Sequence, residues 1–301
     1  MSALFCFGLS YTAASYIAHY GAQFKRIAGT VSTADKAGRL NKQGLGGRLV
    51  EAFLFDDQPA LASAFAGANL VIVSIPPDAD GDRVLARYAD DLRRASQISA
   101  IVYLSTIGVY GDHGGAWIDE MTPAKPVSPR SRERLQAEQQ WQDFGARIEK
   151  PVAILRLPGI YGPGRNALVN LVRGHAKRIV KPGQVFNRIH VRDIAQAIEA
   201  AHVRRANGIF NICDDEPTPG ADPVSYAAQL LGMAPPPELD FDAIKPTLPP
   251  MAQSFYAESK RVRNTRMKDE LGVTLAYPTY RRGLRALFEA GEHLRDAAAR
   301  S

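Results

Sequence analysis

The sequence has little cysteine and no long hydrophobic run. Cys6 and Cys213 are its two cysteines, and both lie in apolar segments typical of buried strands. Two isolated thiols supply neither a disulfide framework nor a metal cluster, so we expect no metal site and a reducing cytoplasm. No run approaches the roughly 18 apolar residues that span a bilayer. The start of the chain also lacks the basic segment of a signal peptide, so we expect a cytoplasmic protein without a membrane segment.

The charge is moderately basic but not concentrated. Lysine and arginine number 37 against 31 acidic residues, which gives a net charge of +6. The densest basic group, residues 260–268, alternates with Val262 and Met267, as the solvated face of a helix does. We therefore expect no nucleic-acid partner, since nucleic-acid binding needs a clustered basic patch. An anionic small molecule fits the charge as well.

Short apolar runs alternate with helix-length segments through the first half of the chain. The predicted strands span residues 3–7, 24–29, 50–55, 70–75, 100–104 and 152–157, and the predicted helices span 12–20, 60–66, 83–96 and 129–144. The apolar runs are mostly continuous, as in parallel strands that are buried on both faces. This alternation predicts an α/β fold with a doubly wound, Rossmann-type parallel sheet.

The alternation changes after Leu157. Further strands are predicted at 188–191 and 208–212, and helices at 194–201, 259–271 and 280–299, with proline-rich connections between several of them. We expect residues 1–157 to form the dinucleotide-binding core. Residues 158–301 are expected to supply the remaining core elements and a small C-terminal substrate lobe over the carboxyl edge of the sheet, where such folds bind ligands.

The first predicted strand runs into a glycine turn. In a Gly-x-Gly-x-x-Gly/Ala pattern, Gly8 and Ala13 match and Ser10 takes the middle position. The pattern provides a tight turn, close approach to a pyrophosphate, and close packing of the following helix. Tyr11 and Thr12 begin that helix, whose free N–H groups and dipole favour a phosphate. These residues predict a dinucleotide site.

The end of the second strand bears on the choice of cofactor. An acidic residue there would hold the ribose 2′-hydroxyl of NAD, but no carboxylate precedes Asp35. The segment instead offers hydroxyls and cations that suit a 2′-phosphate, so NADP is expected over NAD: Thr30, Ser32, Thr33, Lys36 and Arg39. Alternatively, Lys36 and Arg39 belong to a surface loop.

Two later strand ends complete the predicted cofactor site. Asp56 and Asp57 close the third strand and are candidates to contact the adenine. Ser74 and Pro76 follow the fourth strand and would lie near the middle of the cofactor.

Motifs along nearly the whole chain resemble those of the extended short-chain dehydrogenase/reductase superfamily, in its NAD-dependent epimerase/dehydratase group. Besides the glycine turn, the motifs are Ser105-Thr106-Ile107-Gly108-Val109-Tyr110-Gly111, Arg156-Leu157-Pro158-Gly159-Ile160-Tyr161-Gly162-Pro163-Gly164 and Arg188-Ile189-His190-Val191-Arg192-Asp193. The sequence is most similar to atypical members described as predicted nucleoside-diphosphate-sugar epimerases.

The resemblance implies three catalytic positions. A hydroxyl three residues before Val-Tyr-Gly binds the substrate oxygen, and here it is Thr106; alternatively, Thr106 only ends a strand. The family's proton-transferring Tyr and its partner Lys align with Arg130 and Arg134. Because arginine stays protonated, Arg130 cannot act as a general acid and base near neutral pH. Arg134 can still hold the nicotinamide ribose as a cation.

Another group must then supply the proton if redox chemistry takes place. The candidates by proximity in sequence are Tyr110, Asp112, His113 and Tyr161. For His113, in a glycine-rich loop, an ordinary solvated histidine is the competing interpretation.

Two departures from the family's pattern argue against a sugar nucleotide as substrate. The family's Asn after the sixth strand is Gly159, and its diphosphate-binding Arg aligns with Phe186, although Arg188 is near enough in sequence to replace it. Further cations line either an anionic-substrate cleft or a solvated face: Arg173, Lys177, Arg178 and Lys181.

Two functions follow as expectations. One is an NAD(P)-binding oxidoreductase or epimerase/dehydratase-like enzyme for a small, anionic substrate. The other is a non-catalytic NADP sensor or regulatory protein, because the Tyr/Lys pair is missing. A homodimer through the helices at 83–96 and 129–144 is a further expectation, since the extended family often pairs these helices.

Overall fold

Residues 2–294 are described in this computed structural model, and strands alternate with helices from the start. The strands are β1 (Ala3–Phe7), β2 (Arg26–Val31), β3 (Glu51–Leu54), β4 (Leu70–Val73), β5 (Ala100–Thr106), β6 (Trp117–Ile118), β7 (Val152–Leu157), β8 (Gly159–Tyr161), β9 (Arg178–Val180), β10 (Arg188–His190), β11 (Gly208–Asn211), β12 (Glu238–Asp240) and β13 (Arg261–Val262). The helices are α1 (Tyr11–Tyr20), α2 (Ala34–Gln43), α3 (Gln58–Phe65), α4 (Arg83–Arg94), α5 (Pro129–Arg147), α6 (Ala167–Val172), α7 (Val191–Arg204), α8 (Asp222–Leu230), α9 (Phe241–Ile244), α10 (Pro250–Phe255), α11 (Thr265–Asp269) and α12 (Tyr280–Glu289).

Seven strands form one parallel sheet in the order β11-β7-β5-β4-β1-β2-β3. The chain builds outward from β1 in one direction through β2 and β3, and then in the other direction from β4 to β11. The strand order therefore reverses between β1 and β4. In open α/β sheets, ligands bind at the carboxyl ends of the strands beside such a reversal. The predicted Rossmann-type, doubly wound sheet is confirmed.

Apolar side chains cover both faces of the sheet. On one face the core includes Ile17 of α1 and Ile198 of α7. On the other face it includes Tyr88 of α4 and Trp141 of α5, each fully buried. Burial on both faces explains why most strands are continuous apolar runs in the sequence.

The chain after β7 contributes to two regions. β11 and α7 return to the central sheet, whereas α6, α8 and α12 share a separate apolar cluster that includes Leu168, Ala227 and Leu284. Three two-stranded pairs accompany them, β8 with β10, β9 with β12 and β6 with β13. These pairs hold the later segments beside the carboxyl edge of the sheet.

The predicted helix at residues 259–271 is wrong. Arg261 and Val262 pair with Trp117 and Ile118 as parallel strands, so the helical part is reduced to α11. Val262 is buried in this pairing, and the alternation of charged and apolar residues reflects a strand edge and a short helix. For the prediction at 280–299, α12 forms at its start, and residues 295–299 lie outside the described part of the chain.

The helix predicted from residue 194 begins earlier, at Val191. His190 is its N-cap, because the Nδ1 atom of His190 accepts a hydrogen bond from Arg192 N at 3.1 Å. Asp193, which directly precedes the predicted start of this helix, accepts from the backbone of Ala276 and Tyr277 at 2.7 and 3.1 Å. Its carboxylate ties the C-terminal segment to the sheet.

Within residues 2–294, the helices are all too short or too polar to cross a membrane.

A buried ion pair joins the strands β5 and β7 to α5. Glu138 and Arg156 have side chains only 2% and 4% exposed, and their closest atoms, Oε2 and Nη2, lie 2.7 Å apart. The Ser105 hydroxyl donates to the same carboxylate. Ser105 precedes the last residue of β5, so this contact fixes the end of β5 relative to α5 and β7.

We predict that Glu138→Ala lowers the free energy of unfolding by about 3–5 kcal/mol, because it leaves the Arg156 guanidinium buried without its partner. Urea denaturation measures the loss. Glu138→Gln keeps an acceptor and should fall between the alanine variant and the wild type. The matched control is Glu270→Ala, which removes an exposed pair with Arg266 and should change stability by less than about 1 kcal/mol. Equal, small losses in the Glu138 and Glu270 alanine variants would contradict this account.

Candidate active site

The first βα turn is held by hydroxyl groups around a glycine with positive φ. Gly8 has φ +101°, and its N–H donates to Thr30 Oγ1 at 2.9 Å. Ser10 caps α1 by accepting from Ala13 N at 3.4 Å. The Ser74 hydroxyl donates to the Gly8 carbonyl at 3.1 Å and lies 3.3 Å from Ser10 Oγ. The turn is therefore joined to the ends of β2 and β4.

The geometry of this turn fits the pyrophosphate of a dinucleotide. A Cβ at Gly8 would lie 2.5 Å from Ser74 Oγ, so the backbone passes where no other residue fits. Tyr11 and Thr12 occupy the first turn of α1, which contains no acidic residue, and the N–H groups of a first turn have no intrahelical acceptor. Those groups and the helix dipole favour a phosphate. Ala13 is fully buried and allows the helix to pack closely.

The residues predicted to hold a 2′-phosphate divide into two groups. Thr30 is 1% exposed and its Oγ1 accepts from Gly8 N, so the side chain shapes the turn and is too deeply buried for the predicted contact with a 2′-phosphate. Ser32 is exposed, and Thr33 is the N-cap of α2. The Lys36 ammonium donates to the Leu9 carbonyl at 3.1 Å, directly beside the glycine turn.

The alternative interpretation of Lys36 and Arg39 as loop residues is also corrected. Both belong to α2, a helix that the sequence did not predict, and Arg39 is exposed on it. Leu40 is the buried residue of α2, so the sequence carries a weak apolar signal for the helix.

Asp56 and Pro76 follow β3 and β4 at the carboxyl edge of the sheet, where β1 and β2 lie between those two strands. The Asp56 carboxylate is 78% exposed and lies 3.7 Å from Arg87 Nη1, while its carbonyl accepts from Arg87 at 2.9 Å. Asp57 is the N-cap residue of α3, where its side chain makes no capping hydrogen bond. Pro76 is exposed just after β4. Both Asp56 and Pro76 are thus open to a ligand at this edge.

Thr106 is the last residue of β5, two residues beyond the predicted strand end. It is half-buried, and its Oγ1 accepts from Gly108 N at 3.1 Å. This contact uses an acceptor site and leaves the hydroxyl hydrogen free to be donated to a ligand oxygen.

The two arginines at the Tyr and Lys positions have different environments. Arg130 is exposed in the first turn of α5. Arg134 is 8% exposed, and its Nη1 atom donates to the Tyr103 hydroxyl at 2.9 Å and to the Leu104 carbonyl at 3.1 Å. Its guanidinium also lies over the Tyr103 ring, 5.5 Å from the centroid. Arg134 therefore binds β5 through one guanidinium nitrogen. That its other N–H groups contact a nicotinamide ribose stays a prediction.

The alternative proton donors all have structural partners. The Tyr110 hydroxyl donates to Asn211 Oδ1 at 2.9 Å, and burial raises the pKa of Tyr110. The Asp112 carboxylate accepts from Ser259 N, which lowers the pKa of Asp112. His113 Nε2 lies 3.1 Å from the Tyr110 carbonyl. The Tyr161 hydroxyl donates to the Thr279 carbonyl at 3.4 Å, and burial raises the pKa of Tyr161. None of the four is free of a structural role.

The region around β10 contains a buried acid that the sequence did not single out. Asp214 is 3% exposed, and burial raises the pKa of its carboxyl group to about 8, although the Arg188 charge opposes the shift. The Arg188 guanidinium itself donates to Thr218 Oγ1 at 2.8 Å and to the carbonyls of Phe186 and Pro219 at 3.1 Å each. Arg188 thus holds the loop that follows Asp214 rather than presenting a free cation.

Glu138 and Arg156 form a buried ion pair beside the candidate active site, and the sequence did not single out either residue for such a pair. A signal was present, because Arg156 is the one charged residue of the apolar run Val152–Leu157, and a charge in a buried strand needs a partner. The partner lies on α5, four residues after Arg134.

A cavity of about 370 Å³ lies beside the later segments of the chain. Its lining combines the aromatic rings of Phe186 and Tyr256 with the cations Lys181 and Arg261. Of the cations predicted to line an anionic cleft, Lys181 is the one that borders this cavity.

Comparisons with known proteins agree with the fold. The model of the NAD dependent epimerase/dehydratase family matches residues 78–213. The chain is 27% identical over 226 residues to protein YeeZ of Escherichia coli K12, covering 70% of this chain and 77% of YeeZ. It is 30% identical over 138 residues to a 3-diazoavenalumate denitrifying reductase of Streptomyces, covering 44% and 45% of the two chains.

A solved structure extends the similarity to the whole chain. A conserved protein of unknown function from Silicibacter pomeroyi is 45% identical, with a TM-score of 0.86 over 97% of this chain and all of the other. The comparisons therefore show that residues 78–213 match the NAD dependent epimerase/dehydratase family and that the whole chain is similar to the Silicibacter pomeroyi protein.

Proposed function

We propose that this protein is an NADP(H)-dependent oxidoreductase or epimerase/dehydratase-like enzyme that acts on a small, anionic substrate. The observation that carries the choice of NADP is the position of Lys36. Its ammonium is held 3.1 Å from the Leu9 carbonyl, so a cation stands between the glycine turn and the end of β2. In Rossmann folds the adenine ribose lies at this end of β2.

The surroundings of Lys36 favour a 2′-phosphate over a free 2′-hydroxyl. From Thr30 to Thr33 there is no carboxylate to accept from a hydroxyl. The exposed hydroxyl of Ser32 and the start of α2 offer hydrogen-bond donors, and Arg39 adds a second exposed cation on the same helix. Cations and helix N-termini both stabilise phosphate.

The other residues of the carboxyl edge have separate roles in the proposed reaction. When bound, the nicotinamide gives or accepts the hydride. The Thr106 hydroxyl donates to the substrate oxygen at which charge changes, and Arg134 donates to the nicotinamide ribose while it holds β5. Arg130 stays cationic, so it binds or orients an anionic group but moves no proton. The proton comes from water or from an unassigned donor.

The substrate is expected on the side of the later segments. We propose that residues 158–301 supply, besides the core elements β11 and α7, a small lobe over the carboxyl edge of the core formed with residues 1–157. The cavity is bordered by Lys181 and Arg261, which donate to the carbonyls of Tyr256 and Gly115 and are proposed to bind an anionic ligand with their remaining N–H groups. Its volume of about 370 Å³ fits a small molecule. The reductase among the relatives is consistent with hydride transfer to such a ligand.

The environment of the two arginines favours a second candidate, a non-catalytic NADP-dependent sensor. Arg134 is buried against β5, and the other possible proton donors have structural partners. In that case binding of NADP(H) would alter affinity for a protein partner, while NADPH would never be oxidised. A partner that bound equally well with and without NADP(H) would exclude the sensor.

Cytoplasmic location, a homodimer through α4 and α5, and the lack of nucleic-acid binding stay predictions.

We predict that Lys36→Gln raises the dissociation constant for NADPH about tenfold and leaves that for NADH unchanged, because a charged contact to the 2′-phosphate is lost. Quenching of tryptophan fluorescence measures both constants. Lys42→Gln is the matched control, since Lys42 is exposed in the last turn of the same helix. If Lys36→Gln weakened the binding of NADPH and of NADH equally, Lys36 would stabilise the glycine turn and would not contact the 2′-phosphate.

The proposed reaction is tested with NADPH that carries deuterium at C4 and a panel of carbonyl compounds bearing carboxylate or phosphate groups. Transfer of deuterium to carbon, detected by mass spectrometry, supports the enzyme. Absence of transfer across the panel, with NADPH bound, favours the sensor.

For any substrate found in this way, we predict that Thr106→Val lowers kcat by about 10²-fold, since the substrate oxygen loses its hydrogen-bond donor. Thr106→Ser keeps the hydroxyl and should retain most of the activity. Both variants should bind NADPH as the wild type does. Unchanged turnover in Thr106→Val would remove Thr106 from the reaction.

A further inference from the structure

A loop from the second half of the chain lies over the first turn of α1. The Tyr11 hydroxyl donates to the carbonyl of Pro163 at 2.9 Å. Two residues further on, the Arg165 guanidinium stacks on the Tyr11 ring, with Cζ 4.5 Å from the centroid. A cation is thereby placed beside the helix N-terminus that the proposed function assigns to the dinucleotide pyrophosphate.

The backbone of this loop has a fixed shape. Gly162 and Arg165 exchange two backbone hydrogen bonds of 3.0 Å. Gly162 has φ +153°, and a Cβ on it would lie 2.7 Å from the Tyr11 hydroxyl. The Asn166 side chain donates to the Gly162 carbonyl at 2.9 Å and caps α6. Since the backbone is held at each of these points, the exposed side chain of Arg165 is the part that can adjust to a ligand.

The charges around Tyr11 are arranged with the cation outward. Glu292 is 8% exposed, and its carboxylate accepts a hydrogen bond from Gly164 N at 2.5 Å, which stabilises the backbone of the loop. Arg165 is exposed. A guanidinium stacked on a ring keeps its N–H donors at its edge, directed away from the ring, in a geometry that matches phosphate oxygens.

We propose that Arg165 is a pyrophosphate-binding residue. The N–H groups of the first turn of α1 bind the diphosphate from one side, and Arg165, supported by the Tyr11 ring, binds it from the solvent side. The ligand class is the diphosphate of a dinucleotide, irrespective of a 2′-phosphate. The inference rests on the proposed function, because it requires the dinucleotide to lie on the Gly8 turn.

The test is a calorimetric titration of the full chain with NADPH, NADH and ADP-ribose, which share the diphosphate. Arg165→Gln is expected to weaken all three by the same factor, about tenfold, and Arg165→Lys should recover part of the loss because it restores the charge. This pattern differs from that of Lys36→Gln, which affects NADPH alone. The dependence of NADPH affinity on salt should also become less steep in Arg165→Gln.

The matched control is Arg147→Gln, which removes an exposed arginine from the last turn of α5, at the opposite edge of the sheet. It should bind all three ligands as the wild type does. If the wild type binds them and Arg165→Gln binds them within twofold of it, the inference is wrong while the proposed function stands. If the wild type binds none of the three, the proposed function fails and the inference fails with it.

Discussion

The buried ion pair of Glu138 and Arg156 fixes the relative positions of the elements that carry the candidate active site. Glu138 belongs to α5, Arg156 to β7, and the same carboxylate accepts from Ser105 near the end of β5. Thr106 follows Ser105 directly, and Arg134 lies one helical turn before Glu138. Because both charges are buried, separating them would leave each as a buried charge without a partner, which is strongly unfavourable. The hydroxyl of Thr106 and the first turn of α5 therefore keep a defined spacing.

At the carboxyl edge of the sheet, the residues of the proposed cofactor site match the family's pattern more closely than the residues at the proposed catalytic positions do. In the proposed function, the glycine turn, the cap of α1 and Lys36 form an anion-binding region from β1 to α2. In contrast, two arginines stand where a Tyr and a Lys would transfer a proton. Arg134 donates to β5, so its guanidinium takes part in the structure of the strand. We therefore propose a dinucleotide site beside a reaction centre in which a fixed positive charge replaces a proton relay.

The sheet and the turn were predictable because they depend on local patterns. Continuous apolar runs identified the strands of the central sheet, and Gly8 identified the βα turn. The sequence did not reveal α2, which buries Leu40 alone, or the pairing of Arg261 and Val262 with Trp117 and Ile118, which joins residues more than 140 positions apart. Likewise, the roles of Thr30, Asp193 and Arg165 depend on contacts between distant segments. Their residue types indicated polarity, but not which backbone or ring each would meet.

We propose that the carboxyl edge between β1 and β4 binds NADP(H). The most direct test is a calorimetric titration of the wild-type protein, freed of carried-over nucleotide, with NADPH and with NADH. The account predicts one site per chain and NADPH affinity about tenfold or more above that of NADH, a difference of about 1.4 kcal/mol. Absence of binding of either nucleotide would contradict the cofactor site, and tighter binding of NADH would contradict the role assigned to Lys36.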